Sequence, residues 1–332
     1  MGLVRHNPVG SVVTRAAWSR YLVPAAVAVV LALMGSLATA IAPAPAGAAD
    51  LSLFNPGLII SDQNFYNSSS MTPPAIQSFL VDKGSSCTQA AGGPACLKDY
   101  AQVPGTRAPD ARCPGGYQGG ANENAATIVW KVSQACGINP QVLLVMLQKE
   151  QGLVTSSAPT QRSYDAAMGQ GCPDTAACDT LYTGFFNQLY GAASQLQRYR
   201  LSPSSYAQRP FTTNTVRYSP NASCGSSPVF IQNQATAGLY NYTPYQPNAA
   251  ALAAGFGTGD ACSAYGNRNF WNYYNTWFGP SVGANSVPVG SLDSAVYSAP
   301  GVITVSGWTF DPDTAASIPA DVYVDGVGVR WQ

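Results

Sequence analysis

The acid–base chemistry available to this chain falls to its carboxylates. The one histidine, His6, sits in the N-terminal leader. Everything after it therefore lacks the imidazole needed by Ser-His-Asp triads, Cys-His pairs and nearly all zinc-hydrolase sites. Only two glutamates exist, Glu123 and Glu150, and their settings differ. Glu123 falls at the expected start of a helix, where a negative charge favours the dipole, and reads as a capping residue. Glu150 falls at the opposite end of an expected helix, where the dipole opposes ionisation. Its neighbours three, four and seven positions earlier are Leu147, Met146 and Leu143, so its carboxyl should lie on an apolar face. Both effects would raise its pKa, and a glutamic acid kept protonated near neutral pH is the general acid that glycosidic cleavage requires. The competing reading is a helix-end residue fraying into solvent, or one paired with Arg162 or Arg198.

A two-carboxylate mechanism needs a partner for Glu150. Asp165, Asp174 and Asp179 follow on the next loop and could position water or stabilise positive charge. They read more readily as loop residues beside a Cys172 to Cys178 bridge. If none takes part, the substrate's own groups must serve, giving an anhydro product.

Eight cysteines, at 87, 96, 113, 136, 172, 178, 224 and 262, all follow the leader. An even count in an exported chain implies four disulfides. Short loops close most cheaply, so Cys87 with Cys96 and Cys172 with Cys178 are the first expected pairs. Cys113, Cys136, Cys224 and Cys262 are left to staple across helices. No Cys-x-x-Cys spacing occurs, so no metal site and no cofactor is expected.

The segments that must hold these residues follow from apolar spacing and turn signals. Arg5, Arg15 and Arg20 precede an almost wholly apolar stretch from Tyr21 to Ala42, and Ala46-Gly47-Ala48 offers a cleavage site. Residues 1–48 thus read as a signal peptide cut before Ala49, with membrane contact only through that segment before cleavage. Of the 16 Lys and Arg, the three in the leader are lost, leaving 13 against 16 Asp and Glu. Such a chain has no basic stripe for nucleic acid. Its low charge and plentiful Gly, Tyr, Asn and Ser suit a neutral, hydroxyl-rich polymer.

Residues 49–280 are expected to form one mainly α domain with disulfides, loop-rich over 49–121 and helical over 122–280. Thr72 with Pro73 starts a short helix whose Ile76, Phe79 and Leu80 share a face. Asn122 to Cys136 has helical spacing and ends on Gly137, a good C-cap. Asn139 and Pro140 open the next helix, Val142 to Leu147 is apolar all round and so central, and Gly152 stops it. Further helices are expected over Gly184 to Arg200, Val229 to Tyr242, Pro247 to Ala254 and Asn267 to Phe278. In the last of these, Phe270, Tyr274 and Trp277 have core spacing, and Trp271 is the better candidate for an exposed sugar platform.

The helix ending Leu143-Leu144-Val145-Met146-Leu147-Gln148-Lys149-Glu150-Gln151-Gly152 resembles the catalytic helix of lytic transglycosylases and goose-type lysozymes. Three landmarks follow in order: Ala167-Met168-Gly169-Gln170-Gly171, then Asn187 with Gly191, then Tyr240-Asn241. The resemblance spans about Asn122 to Phe278. It implies a lysozyme-like fold in which Glu150 protonates the glycosidic oxygen and later acts as base. By the same resemblance Met168, Gly169 and Gln170 touch the sugar, while Tyr240 and Asn241 line the cleft. Gln151 stands where that superfamily usually has Ser, and Tyr242-Thr243-Pro244 where it has a small residue, Gly and Pro.

Residues 281–288 read as a linker, and 289–332 change to alternating strands such as Val302 to Trp308 and Asp321 to Val324. The run from Gly301 to Trp308 with Asp311-Pro312-Asp313 resembles the opening half of an immunoglobulin-like repeat common in actinobacterial secreted proteins, here an incomplete β-sandwich module. Asp311, Asp313, Asp321 and Asp325 read as turn residues rather than calcium ligands. The chain as a whole is expected to be a secreted or cell-wall-associated monomer that cleaves peptidoglycan or another cell-surface glycan, as a lytic transglycosylase or muramidase. The competing expectation is a non-catalytic, adhesin-like glycan-binding module on the same fold.

Overall fold

The computed structural model describes residues 49–173, 176–283, 289–310, 320–324 and 327–331. The leader, Asp174, most of the linker and the Asp311, Asp313 and Asp325 positions lie outside them.

Nine α-helices run along the described chain: α1 (Asp62–Phe65), α2 (Pro73–Lys83), α3 (Ala125–Cys136), α4 (Pro140–Gln151), α5 (Gln161–Asp165), α6 (Phe185–Leu201), α7 (Gln234–Tyr242), α8 (Ala249–Ala253) and α9 (Gly266–Phe278). Most begin where the sequence offers a cap. Thr72, Asn124, Asn139, Asn233 and Asn248 each accept a hydrogen bond from a first-turn amide of the following helix, satisfying donors that the helix itself cannot. Gly137 and Gly152 end α3 and α4 in the left-handed conformation, φ +64° and +62°, which other residues rarely adopt.

Helix α4 is the axis of the core. Val142, Leu143, Leu144, Val145, Met146 and Leu147 are all 0% exposed. Each contributes about 1.5–3 kcal/mol relative to exposure, enough to fix the helix firmly. Helix α9 packs along it, α3 packs on α2, α4 and α6, and α6 packs on α7. Phe270 and Tyr274 of α9 are buried as their spacing predicts. Trp271 is buried too, 5% exposed and edge-on to Phe54 with ring centroids 6.1 Å apart. It is therefore a core residue and offers no platform to a sugar.

Two short antiparallel ribbons interrupt the helices. Ala101–Gln102 (β1) pairs with Glu123–Asn124 (β2). Thr212–Arg217 (β3) pairs with Ser226–Ile231 (β4). The second ribbon corrects the expected helix over Val229 to Tyr242: that helix begins at Gln234, behind the Asn233 cap. Val229 and Ile231 point inward and Phe230 outward, the alternation of a strand.

The four disulfides join Cys87 to Cys96, Cys113 to Cys136, Cys172 to Cys178 and Cys224 to Cys262. The two short-loop pairs are those expected. Cys113–Cys136 fastens the loop-rich part to the end of α3, and Cys224–Cys262 ties the second ribbon to the segment before α9.

Farther along, Val289–Ala299 (β5) and Val302–Phe310 (β6) form one antiparallel hairpin, and Ala320–Val324 (β7) and Val327–Trp331 (β8) form another. The expected strands fall within β6 and β7. The fold is thus mainly α with a short β piece.

Candidate active site

Glu150 occupies the last turn of α4, and its side chain is 24% exposed. One face of this turn is fixed by the core, since Leu143, Met146 and Leu147 are fully buried. The carboxyl itself, however, meets a cation rather than apolar surface. Lys149 Nζ lies 2.5 Å from Glu150 Oε1, donates a second hydrogen bond to Thr243 Oγ1 at 2.9 Å, and sits 5.7 Å from the centre of the Tyr242 ring. Its side chain is only 2% exposed. This corrects the expected surroundings of Glu150: Arg162 and Arg198 are exposed, and the partner is the preceding residue.

The other carboxylate oxygen faces the chain at Gly169. A Cβ added there would sit 3.5 Å from Oε2, on a backbone with φ +69°, so glycine lets the main chain approach the acid without strain. Beside it, the Tyr242 hydroxyl donates to the Met168 carbonyl at 2.6 Å. Burial, and then the Glu150 charge, hold this phenol well above its ordinary pKa. Tyr242 is therefore a neutral wall of the site.

Gly169, Gln170, Gly171, Gln195, Tyr199 and Tyr242 are among the residues lining an open cavity of about 470 Å³. The turn that lines it is held by Gln188, a fully buried polar residue of α6. Gln188 Oε1 accepts from the Met168 and Gln170 amides at 3.1 and 3.0 Å, and Nε2 donates to the Gln170 and Tyr182 carbonyls at 2.8 and 2.9 Å. One side chain thus pins the whole Met168–Gly171 turn to the helix. Tyr182 is held between Gly171 and Gly191, where an added Cβ would come within 2.5 and 2.6 Å of its ring.

Several residues expected at the site lie elsewhere or serve otherwise. Gly169 and Gln170 border the cavity, but the Met168 side chain is fully buried and only its carbonyl is engaged here. Tyr240 is fully buried and donates its hydroxyl to the Pro56 carbonyl at 3.0 Å. Asn241 is committed to Gln208, accepting from its amide at 3.0 Å and donating to its carbonyl at 2.8 Å. The aromatic residue that faces Glu150 is Tyr242, two positions on. Asp165 accepts from Gln161 at 3.0 Å, and Asp179 caps a short 3-10 turn by accepting from the Leu181 amide at 2.9 Å. Glu123 is not in a first helical turn. It belongs to β2, ahead of the Asn124 cap, and is 8% exposed. Tyr117 donates to its Oε2 at 2.5 Å and Lys131 to its Oε1 at 2.6 Å.

The family model described as LasA, N-terminal domain, matches residues 58–288. The chain belongs to that family. No curated protein and no solved structure matches it. The match takes in the helices, the Glu150 cavity and all four disulfides, and it names a different family from the transglycosylases that the motif order resembles. The bridged cysteines mark the LasA N-terminal domain of this chain as built for an oxidising, extracytoplasmic setting. Lys149 and Gln188 were not singled out from sequence, and Tyr242 and Thr243 stood out only as departures from the transglycosylase pattern. Only the close glycines 169 and 171 hinted that a backbone turn approaches a side chain there.

Proposed function

We propose that this domain is a secreted glycan-cleaving enzyme, acting on peptidoglycan or a related cell-wall glycan, with Glu150 as its proton-transferring group. The observation that supports it is the placement of one Glu150 oxygen beside Gly169, a residue that lines an open cavity, on a helix that six fully buried side chains hold still. Such rigidity is what positions an acid within reach of a glycosidic oxygen.

In this reading Glu150 enters the reaction carrying a proton taken from the water that reaches it, and gives it to the bridging oxygen as the bond to the anomeric carbon breaks, so that the departing sugar leaves as a free hydroxyl. The ion pair with Lys149 is then the state of the acid after that transfer. Asp165 bonds within α5 and Asp179 within its own 3-10 turn, and Asp174 lies outside the described residues. We take a sugar hydroxyl of the substrate as the second reactant. That hydroxyl bonds to the anomeric carbon and returns its proton to Glu150, so that an anhydro end forms without water. An activated water in the same place would give a reducing end instead.

One observation favours the second reading, a glycan-binding module: an ion-paired carboxylate is an acceptor of hydrogen bonds, and sugar hydroxyls are donors. Digestion of purified peptidoglycan by the mature protein, with mass analysis of released fragments, separates the two. Anhydro-ended fragments are expected. Absence of fragments from several peptidoglycan types, with retention of the protein on the insoluble glycan, would leave the binding module.

A further inference from the structure

Two cavities border α6, one beside Glu150 and Gly169 and one farther along the helix. Asn187, Gly191, Gln195 and Tyr199 recur at four-residue spacing and so share one helix face. Gln195 and Tyr199 line the cavity beside Gly169. Asn187, Gly191 and Gln195 line a second cavity of about 370 Å³, together with Arg107, Arg112 and Tyr190. Gln195 borders both, so the two cavities are neighbours along α6, with the Tyr182 ring between Gly171 of the first and Gly191 of the second.

Charge distinguishes the second cavity. Arg112 is paired with Asp110 at 2.8 Å. Arg107 has no carboxylate partner among the described residues. It donates to Asn187 Oδ1 at 2.8 Å and to the Thr106 carbonyl at 3.3 Å, and its guanidinium lies 5.3 Å from the Phe186 ring centre and 6.0 Å from that of Tyr190. All these partners are neutral. They hold the guanidinium plane while leaving its charge uncompensated, so little side-chain freedom remains to be lost when an anion arrives. The second cavity thus carries two guanidinium groups and one carboxylate, on a chain whose mature part is close to neutral.

We propose that the Arg107 cavity is a subsite for a carboxylate carried by the bound glycan. The planar guanidinium fork matches a carboxylate in two parallel hydrogen bonds, and Tyr190 offers a ring face to the sugar bearing it. This rests on the reading of the Glu150 groove as a glycan site, and it narrows that reading to acidic or acid-substituted glycans.

The test measures affinity of the mature protein by calorimetry for four tetrasaccharides. One is neutral chitotetraose, one an N-acetylglucosamine–N-acetylmuramic acid tetramer with free lactyl carboxylates, one its methyl ester, and one a tetramer containing glucuronate. The free acid is expected to bind about tenfold more tightly than its ester or the neutral tetramer, with the preference shrinking as salt rises. Arg107→Gln should abolish the preference and Arg107→Lys retain part of it. The acid-against-ester comparison needs no variant, so it stands even if Arg107→Gln fails to fold. Equal binding of the glucuronate tetramer would assign the subsite to sugar carboxylates generally, and weaker binding to the lactyl position. Equal affinity for acid and ester, a preference untouched by Arg107→Gln, or no saccharide binding at all would overturn the proposal. Acid preference without any glycan cleavage would sink the enzyme reading alone, and cleavage without acid preference would sink this subsite alone.

Discussion

Lys149 and Glu150 are sequence neighbours whose charged ends meet at 2.5 Å, yet the ammonium side chain is 2% exposed and the carboxylate side chain 24%. The pair is therefore lopsided. Water reaches the acid, whereas the base depends on protein groups alone, namely Glu150, Thr243 Oγ1 and the face of Tyr242. Charge is costly to bury without a partner. Glu150 is thus a structural necessity for Lys149 as well as the candidate acid.

Gln188→Leu keeps the bulk of a fully buried side chain but leaves the Met168 and Gln170 amides and the Gln170 and Tyr182 carbonyls without their partner. A loss of about 2–4 kcal/mol is expected in urea unfolding, at about 1 kcal/mol for each hydrogen bond. Hydrogen exchange at the Met168 and Gln170 amides should quicken more than exchange in α4, and glycan cleavage should fall because the turn facing Glu150 loosens. Unchanged exchange at those two amides would show that Gln188 does not hold the turn.

Glu123 governs acid sensitivity. Burial pushes its carboxyl up, but hydrogen bonds from Lys131 and Tyr117, with the Lys131 charge, outweigh this and hold it below its usual range. An acid depressed in the folded state contributes stability that is fully present above its unfolded value, near about 4.3, and that is lost as pH falls through the folded value. Asp62 has the opposite sign, because burial raises it despite hydrogen bonds from the Ala235 and Gln234 amides and the nearby Arg200 charge. Comparing variant with wild type cancels Asp62. Thermal melts from about pH 6 to about pH 3 should show Glu123→Gln losing less stability on acidification than wild type. Parallel curves would rule out this role.

Much of this molecule is legible in its sequence, and for definite reasons. Asn139, Pro140 and Gly152 bracket α4 by local chemistry, and the unbroken apolar run between them can only be core. Cys87–Cys96 and Cys172–Cys178 followed from loop length. The second ribbon did not, because Val229-Phe230-Ile231 runs straight into the Asn233 cap and reads as the first turn of the next helix. The surroundings of Glu150 were misjudged for a related reason. Helical spacing relates a residue to positions three and four away, whereas Lys149 is adjacent and curls back, drawn by Thr243 from a distant part of the chain. Tyr240 and Asn241 were expected at the cleft, but α7 turns the Tyr242 side chain toward Met168, while Tyr240 bonds Pro56 and Asn241 bonds Gln208.

The disulfides should differ in worth with the loop they close. Cys224–Cys262 spans 38 residues and Cys87–Cys96 only 9. Chain entropy then assigns about 3.9 and about 2.6 kcal/mol to them. Paired substitutions, Cys224→Ser with Cys262→Ser and Cys87→Ser with Cys96→Ser, measured by urea unfolding, should keep that order. A reversed order would show that packing around the short loop, rather than loop closure, dominates.

The lopsided pair makes the decisive experiment a double-mutant cycle rather than a single substitution. Glu150→Gln removes the titrating proton and should lower glycan cleavage by at least ~10²-fold. It also leaves Lys149 buried beside a neutral amide, so stability should fall by about 3–5 kcal/mol, and loss of activity by this variant alone would be ambiguous. Lys149→Met removes the cation while filling its space. Glu150 is then left to water, which reaches it, and the cost should be smaller, about 1.5–3 kcal/mol. Combining the two removes both charges, so the double variant should recover most of the stability lost by Glu150→Gln, giving a coupling energy of about 3 kcal/mol or more, at or above the top of the usual range. Activity should follow a different rule. If Glu150 transfers the proton, the double variant stays as inactive as Glu150→Gln despite its restored fold, while Lys149→Met keeps measurable cleavage. Recovery of cleavage in the double variant would show that Glu150 serves only to hold Lys149 in place, and the search for the acid would have to move elsewhere in the groove.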